Sequence, residues 1–269
     1  MSTQHKSDTM ADYVAMRRIC KTFNRDSLNE IRLFQNFNLE IPKGQFVAVI
    51  GSNGSGKTTI LNILCGSVPI DSGSVSVNGK EISRLPEHQH SEFIGRVFQD
   101  PSKGTCPQLT ILENMALADN KGTRFGLHFG INRKRIPYYR SQLELLKLGL
   151  EDKLNLPVSS LSGGQRQALA LLISTMTPID LLILDEHTAA LDPRSSENVM
   201  ELTQRIVGEK KLTVLMVTHN LKYAIRYGDR LIMMHRGGIV LDAAGEEKVA
   251  LQTKDLTEKF NEISLEDGN

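Results

Sequence analysis

PheValAlaValIle at Phe46–Ile50 runs directly into GlySerAsnGlySerGlyLysThr at Gly51–Thr58. Five consecutive apolar residues read as a parallel strand buried on both faces, and the stretch Lys57–Gly66 behind the glycines reads as a helix. Gly51, Gly54 and Gly56 let the loop between them bend tightly and bring its N–H groups against phosphate oxygens, which a Cβ would obstruct. The helix N-terminus adds roughly half an elementary positive charge at the same place. Strand, loop and helix in this order form a nucleotide phosphate cradle. Lys57 is expected to neutralise the β- and γ-phosphates and the Thr58 hydroxyl to ligate Mg²⁺. Ser52, Asn53, Ser55 and Thr59 complete the candidate contact set, with Thr59 in a capping or packing role.

A second buried strand, Leu181–Leu184, ends in Asp185 and Glu186, at the carboxyl edge where an α/β sheet presents its ligands. Asp185 is expected to hold Mg²⁺ through water, and Glu186 to orient and deprotonate the water attacking the γ-phosphate. Without the phosphate loop upstream, such an acidic pair would read as a helix cap. Ser162, Gly163 and Gly164 stand just ahead of the helical stretch Gln165–Met176 and form a second anion site at a helix N-terminus. In isolation they would read as a Ser cap with a Gly-Gly turn. His219 closes the apolar strand Val214–Thr218 and can reach either the γ-phosphate or Glu186. Gln99 follows the strand Gly95–Phe98, where its amide can reach Mg²⁺ or the attacking water.

These motifs and their order resemble the ATP-binding subunit of ATP-binding-cassette (ABC) transporters, from about Tyr13 to Leu251. The resemblance implies that LeuSerGlyGlyGln at 161–165 is the signature motif and Gln99 the Q-loop glutamine. It likewise implies that AlaAlaLeuAsp at 189–192 is the D-loop and His219 the switch histidine. In that family two cassettes pack head to tail and enclose two ATP molecules, so Ser162, Gly163, Gly164, Gln165 and Asp192 would complete the phosphate loop of a second copy. Phe23 occupies the position where the family stacks an aromatic ring on adenine; core packing competes for it, and Tyr13 is the other aromatic candidate in the N-terminal strand. Where the family usually has Pro after the catalytic Glu, this chain has His187, a titratable ring beside Glu186 that either tunes it or replaces a rigid turn former. GluHisThrAlaAlaLeuAspPro at 186–193 and AspProSerLysGlyThr at 100–105 look like an importer subgroup linked to lipoprotein receptors for tryptophan, tyrosine or related solutes.

The chain has 269 residues, 40% of them hydrophobic, enough for one cassette and not two. No apolar run approaches the roughly 20 residues of a membrane-spanning helix. The N-terminus lacks the apolar core of a secretory signal, so the chain is expected to stay in the cytosol; the family resemblance implies a peripheral place on the cytoplasmic face of the cell membrane. Cys20, Cys65 and Cys106 are widely spaced, which suits reduced thiols. His88 and His90 read as a solvated loop without a completed ligand set. A net charge of +1 gives no electrostatic reason to bind nucleic acid.

The expected fold is α/β: a P-loop NTPase (RecA-like) core with an antiparallel β subdomain and an inserted α-helical subdomain. Residues 1–12 are expected to be a flexible N-terminus, and 13–252 a single ATPase domain. Its core would span about 13–99 and 178–252 and its helical subdomain about 100–177, with a C-terminal helix and tail over 253–269. Short strands fill Tyr13–Ile50 with a turn at Asn24–Asn29, and Asn78-Gly79 marks a type I′ hairpin. Helices are expected at Leu109–Leu117, Gln142–Leu148, Gln165–Met176 and near Ser195–Val207; later strands at Leu231–Met234 and Ile239–Leu241. Leu256, Phe260 and Ile263 recur at helical spacing, as a helix packed back on the core requires. Between Lys121 and Arg140 six Lys or Arg interleave with Phe125, Phe129, Tyr138 and Tyr139, and no acid intervenes. This segment reads as a solvated loop, with acidic headgroups or a permease as its alternative contacts.

The implied function is the ATP-hydrolysing subunit of a transporter that uses ATP and Mg²⁺. Its implied partners are a second copy of itself, a transmembrane permease that docks near Pro101–Leu112, and an extracytoplasmic substrate-binding lipoprotein. Import is favoured by the single unfused cassette and the subgroup resemblance. An exporter ATPase, a soluble ABC ATPase acting on ribosomes or DNA, and a P-loop phosphotransferase are the rivals. The last has no use for LeuSerGlyGlyGln.

Overall fold

The computed structural model describes residues 13–121 and 130–266, with side chains to residue 263. The N-terminus 1–12, Phe125 and Phe129 of the basic run, and the tail 267–269 lie outside the described residues. The strands are β1 (Val14–Phe23), β2 (Ile31–Ile41), β3 (Phe46–Gly51), β4 (Ser72–Val77), β5 (Lys80–Glu81), β6 (Ile94–Val97), β7 (Leu181–Asp185), β8 (Thr213–Val217), β9 (Arg230–His235) and β10 (Gly238–Ala244). The helices are α1 (Lys57–Leu64), α2 (Glu87–His90), α3 (Ile111–Asp119), α4 (Ile136–Glu144), α5 (Gly163–Ser174), α6 (Pro193–Lys210), α7 (Leu221–Arg226), α8 (Gly245–Ala250) and α9 (Thr253–Glu266).

One sheet has the order β10-β9-β3-β8-β7-β6, parallel except for β10 at its edge; the other, β2-β1-β4-β5, is antiparallel. Side chains alternate across the parallel sheet. Phe46, Ala48, Ile50, Leu182, Leu184, Val214 and Met216 enter one core together with α3–α6. Val47, Val49, Leu181, Ile183, Leu215 and Val217 enter a second core, shared with α1 and the antiparallel sheet. Both faces are therefore dry, which is why these strands read as unbroken apolar runs. Because β3, β6, β7, β8 and β9 are mutually parallel, their carboxyl ends share one edge.

The α/β class and both kinds of sheet match the sequence expectation, and Asn78 (φ 50°) and Gly79 (φ 74°) carry the positive φ that a type I′ turn demands. Other details differ. β1 and β2 are ten and eleven residues long rather than short, because they pair with each other along nearly their whole length. α4 begins six residues before the expected Gln142, inside the basic run. Pro137 fits its first turn, and Arg135 and Tyr139 both bond Asp119, an acid supplied by α3. Within the described part of the run, Arg133–Arg140 is thus helical rather than loop, with Arg133, Lys134 and Arg140 exposed. His90 is not solvated: it is buried, with Nδ1 2.7 Å from Leu64 O and Nε2 3.2 Å from Leu85 O, while His88 is exposed. The helix expected at Gln165 starts two residues earlier, at Gly163. α9 does pack inward, burying Leu256 and Ile263.

Gly237, in the β9–β10 turn, holds the core against the phosphate loop. Its N–H donates to Ser55 O at 3.0 Å, its φ is +75°, and a Cβ there would lie 1.7 Å from Leu33 O. Gly149 has a similar φ of +64° in open space. Gly149→Ala is expected to lower the unfolding free energy by about 1 kcal/mol. Gly237→Ala should cost more than about 2 kcal/mol, the excess being steric. Urea unfolding of both variants checks this, and equal losses would contradict the steric account.

Candidate active site

The carboxyl edge of the parallel sheet gathers the phosphate loop after β3, Gln99 two residues after β6, Asp185 and Glu186 at the end of β7, and His219 two residues after β8. α1 begins at Lys57 behind Gly56, which has a φ of 104° and, as a glycine, no side chain to cap the helix. Its first N–H groups therefore face the loop without a capping acceptor, the arrangement an anion fills. The glycines are required for reasons beyond phosphate approach. A Cβ at Gly51 would lie 2.2 Å from Met234 O on β9, and one at Gly56 would lie 2.7 Å from the Phe34 ring. Gly54 meets nothing within 4 Å and is needed only for its φ of +75°.

Lys57 Nζ donates to the carbonyl oxygens of Gly51 and Ser52, each at 2.8 Å. Burial pushes its ammonium below the usual lysine range, against the pull of the Glu186 carboxylate. A bound phosphate would replace two neutral acceptors with charged ones. Thr58 is exposed on the first turn of α1, Thr59 is half-buried behind it, and Asn53 is exposed at the loop tip. Ser52 Oγ lies 3.1 Å from His235 Nδ1, a neighbour on β9 that sequence reading missed. Ser55 Oγ is buried without a hydrogen-bond partner. The uncapped helix start, the lysine and the exposed hydroxyl fit a nucleotide phosphate with Mg²⁺.

Glu186 Oε1 lies 2.8 Å from His219 Nε2. The Glu186 backbone has φ 49°, and its N–H donates to Val217 O at 2.9 Å, so β8 fixes a conformation that a glutamate rarely adopts. His187 turns the other way. Its ring is buried, Nε2 is 3.3 Å from Thr203 Oγ1 on α6, and desolvation lowers its pKa to about 4. It fills core space under the turn in place of Pro.

Ser162 caps α5. Its Oγ accepts from Gln165 N at 3.2 Å while Gln165 Oε1 accepts from Ser162 N at 3.1 Å, a reciprocal capping box. Gly164 lets α5 approach α6, since a Cβ there would lie 3.1 Å from the Ser195 side chain; one at Gly163 would lie 3.3 Å from Leu191. Asp192 caps α6 by accepting from Arg194 N and Ser195 N, and the Ser195 hydroxyl, followed by these backbone bonds, holds its carboxyl below the usual range. Ser162, Gly164, Gln165 and Ser195 line one cavity of about 700 Å³, whereas Ser52–Ser55 line another of about 210 Å³ with Met234 and Phe260, and the two share no residue. Gln99 is exposed, and the preceding Phe98 carbonyl accepts from the buried Gln167 Nε2 on α5 at 3.0 Å. Phe23 is half-buried at the end of β1 and belongs to neither core; Lys21 Nζ stands 5.1 Å from its ring centroid. Tyr13 is removed from the site, because its hydroxyl donates to Asp180 at 2.6 Å, just before β7 and at the opposite edge of the sheet.

A family model described as ABC transporter matches residues 34–189. The chain belongs to the ABC transporter family. The cassette is 45% identical over 245 residues to the tyrosine transport ATP-binding protein of Clostridioides difficile (strain R20291), covering 91% of this chain and 97% of that one. It is 34% identical over 214 residues to the phosphonates import ATP-binding protein PhnC of Lactococcus lactis subsp. lactis (strain IL1403), covering 78% and 86%. A solved dimeric ATP-binding cassette in a post-hydrolysis state, bound to ADP and Pi, superposes with a TM-score of 0.72 at 29% identity, covering 86% of this chain and 98% of that one. The cassette is accordingly an ATPase of a transport system and binds ATP with Mg²⁺.

Because His187 is neutral and turned into the core, His187→Ala is expected to lower stability by about 2 kcal/mol while leaving both limbs of the pH–rate profile of ATP hydrolysis in place. Displacement of either limb would give the ring a role at Glu186.

Proposed function

We propose that this cassette is the ATPase subunit of an importer of a small solute of the tyrosine-like class, acting as a head-to-tail pair on the cytoplasmic face of the membrane. The observation that carries the reading is the separation of two phosphate-binding surfaces within one chain. Ser52–Ser55 line one cavity beside the sheet edge that carries Glu186 and His219, while Ser162, Gly164 and Gln165 line a separate one that shares no residue with it, and Gly163 and Asp192 adjoin the second set in the chain and at the start of α6. A second copy brings its own 162–165 helix start over the first copy's phosphate loop, and ATP between them closes the pair. The 45% identity to a tyrosine transport subunit supports the solute class, and the proposed partners are a permease and a substrate-binding lipoprotein.

Mg²⁺ would be held by the Thr58 hydroxyl, the Gln99 amide and the Asp185 carboxylate, where it supplies charge to the β- and γ-phosphates. Lys57 leaves the Gly51 and Ser52 carbonyls for phosphate oxygens, and Ser52–Gly56 cradle the rest. Glu186, oriented by His219 and by its fixed backbone, takes the proton of the attacking water. Phe23 stacks on adenine; its ring is available because neither core claims it. Loss of the γ-phosphate removes the link between the copies and opens the pair.

We assign the catalytic core to about 13–99 and 178–252, the helical lobe to about 100–177, and the C-terminal helix to residues from 253. The permease contact is assigned to an open apolar groove of about 1150 Å³ on the helical lobe, walled by Leu109, Leu112, Ala116, Leu117, Ile131 and Ile136. It overlaps the segment Pro101–Leu112 only at its end and extends along α3. No helix of the described residues is long and apolar enough to cross a membrane, so a separate subunit must form the path.

Ser162→Arg is expected to abolish hydrolysis while leaving the affinity of the single chain for ATP unchanged; normal turnover would contradict completion of the site by a second copy. Glu186→Gln should bind ATP, slow hydrolysis by about 100-fold or more and accumulate closed pairs. Tagged in its host and purified from solubilised membranes with ATP and Mg²⁺, that variant is expected to bring down a multi-span permease. Recovery with ribosomes or DNA in the soluble fraction would overturn the transporter reading.

A further inference from the structure

Arg96 lies on β6 between buried Gly95 and Val97, three residues ahead of Gln99, and its guanidinium joins three elements of the site. Nη2 donates to Asp185 Oδ2 at 2.7 Å, Nη1 donates to Asn62 Oδ1 at 3.0 Å, and the group lies 4.7 Å from the Phe98 ring centroid. Asn62 is one helical turn beyond Thr58 on α1. The Arg96 and Asp185 side chains are only 15% and 16% exposed, and Arg96 Nε has no partner, so the contact is made through the two terminal nitrogens. A single cation thus touches the carboxylate expected to hold Mg²⁺ and the helix that presents the expected hydroxyl ligand, and it shares a strand with the expected amide ligand.

The Asp185 carboxylate is already paired within the chain. Asp185 faces Arg96, while Glu186 lies 2.8 Å from His219 with Lys57 contributing to its surroundings. A free divalent cation is drawn to a site by uncompensated negative charge, and in a partly buried setting one neighbouring unit charge alters that attraction strongly. We propose that Arg96 is a positioning residue that masks Asp185 in the nucleotide-free cassette, so that a divalent cation is accepted only together with the phosphates of a nucleotide. The phosphates bring the negative charge that Arg96 cancels at Asp185. The inference rests on the reading of Asp185 as a metal-holding carboxylate.

Mn²⁺ serves as the probe, titrated by electron paramagnetic resonance into nucleotide-free protein. Arg96→Met and Arg96→Gln remove the charge, while Arg96→Lys keeps it without the two-pronged contact. Both neutral variants are expected to bind Mn²⁺ on the order of tenfold more tightly than the wild type, and Arg96→Lys within about twofold of it. Mn²⁺ alone should raise the thermal midpoint of the neutral variants and leave that of the wild type in place, a response that loss of packing at Arg96 would not produce. Unchanged or weaker Mn²⁺ binding in both neutral variants overturns the proposal, as does a gain that persists in the Arg96→Met, Asp185→Asn double variant.

The underlying reading is tested separately, by the tightening that Mg²⁺ produces in the binding of a fluorescent ADP analogue. If Asp185→Asn keeps that tightening in full, the metal-holding role of Asp185 fails and the masking falls with it. If the tightening is lost, the metal reading stands independently of the Arg96 variants.

Discussion

Burial of the parallel sheet on both faces is the constraint on which the rest of this cassette depends. Phe46, Ala48 and Ile50 enter one core while Val47 and Val49 enter the other, and β7 and β8 divide in the same way. A one-residue slip of any of these strands would move its side chains into the wrong core, so the register of β3 against β8 and of β8 against β7 is strongly fixed. Fixed register and common direction bring Gly51, Asp185 and Val217 to one edge. Loops leaving that edge then need only a few residues to place Lys57, Glu186 and His219 around one volume.

The edge stores conformational and electrostatic work that a nucleotide can release. Glu186 is held at φ 49° by the Val217 carbonyl, and Lys57 is partly desolvated against two neutral carbonyls. In the proposed reading, Lys57 exchanges two neutral carbonyls for phosphate oxygens while the Glu186 backbone keeps its bond to Val217, which is the sense in which the site is preorganised. The Gln167–Phe98 hydrogen bond runs from the helix that Ser162 caps to the strand end that precedes Gln99. α5 and the sheet edge are therefore joined by a direct hydrogen bond. The same two elements meet again where Ser174 Oγ donates to Arg96 O at 3.0 Å, so α5 bonds the chain twice near the carboxyl end of β6.

The phosphate loop, the two buried strands and the hairpin at Asn78-Gly79 were legible because their signals are local. Glycine φ values, a lysine–threonine pair at a helix start and unbroken apolar runs need no partner from elsewhere in the chain. Where a residue's role depends on distant neighbours, local reading failed. Tyr13 is an aromatic residue near the expected adenine position, yet Asp180 holds its hydroxyl at the far edge. His90 resembles loop sequence, yet two carbonyls from α1 and the segment before α2 enclose it. α4 was hidden by its basic residues because the compensating acid, Asp119, comes from α3. Arg96 gave one faint signal, a charged residue inside an otherwise apolar strand just before Gln99.

The sequence by itself determined the fold class, the nucleotide-binding chemistry and the order of the motifs, since each is carried by residues adjacent in the chain. Tertiary structure alone decided which charges neutralise one another, where His187 points and how little room Gly164 leaves for a side chain. Those outcomes depend on α6 lying against α5 and the turn after β7, and on β6 lying beside β7. Pairing of strands and packing of helices brings together residues 89 positions apart, as with Arg96 and Asp185, and no spacing along the chain encodes such a contact.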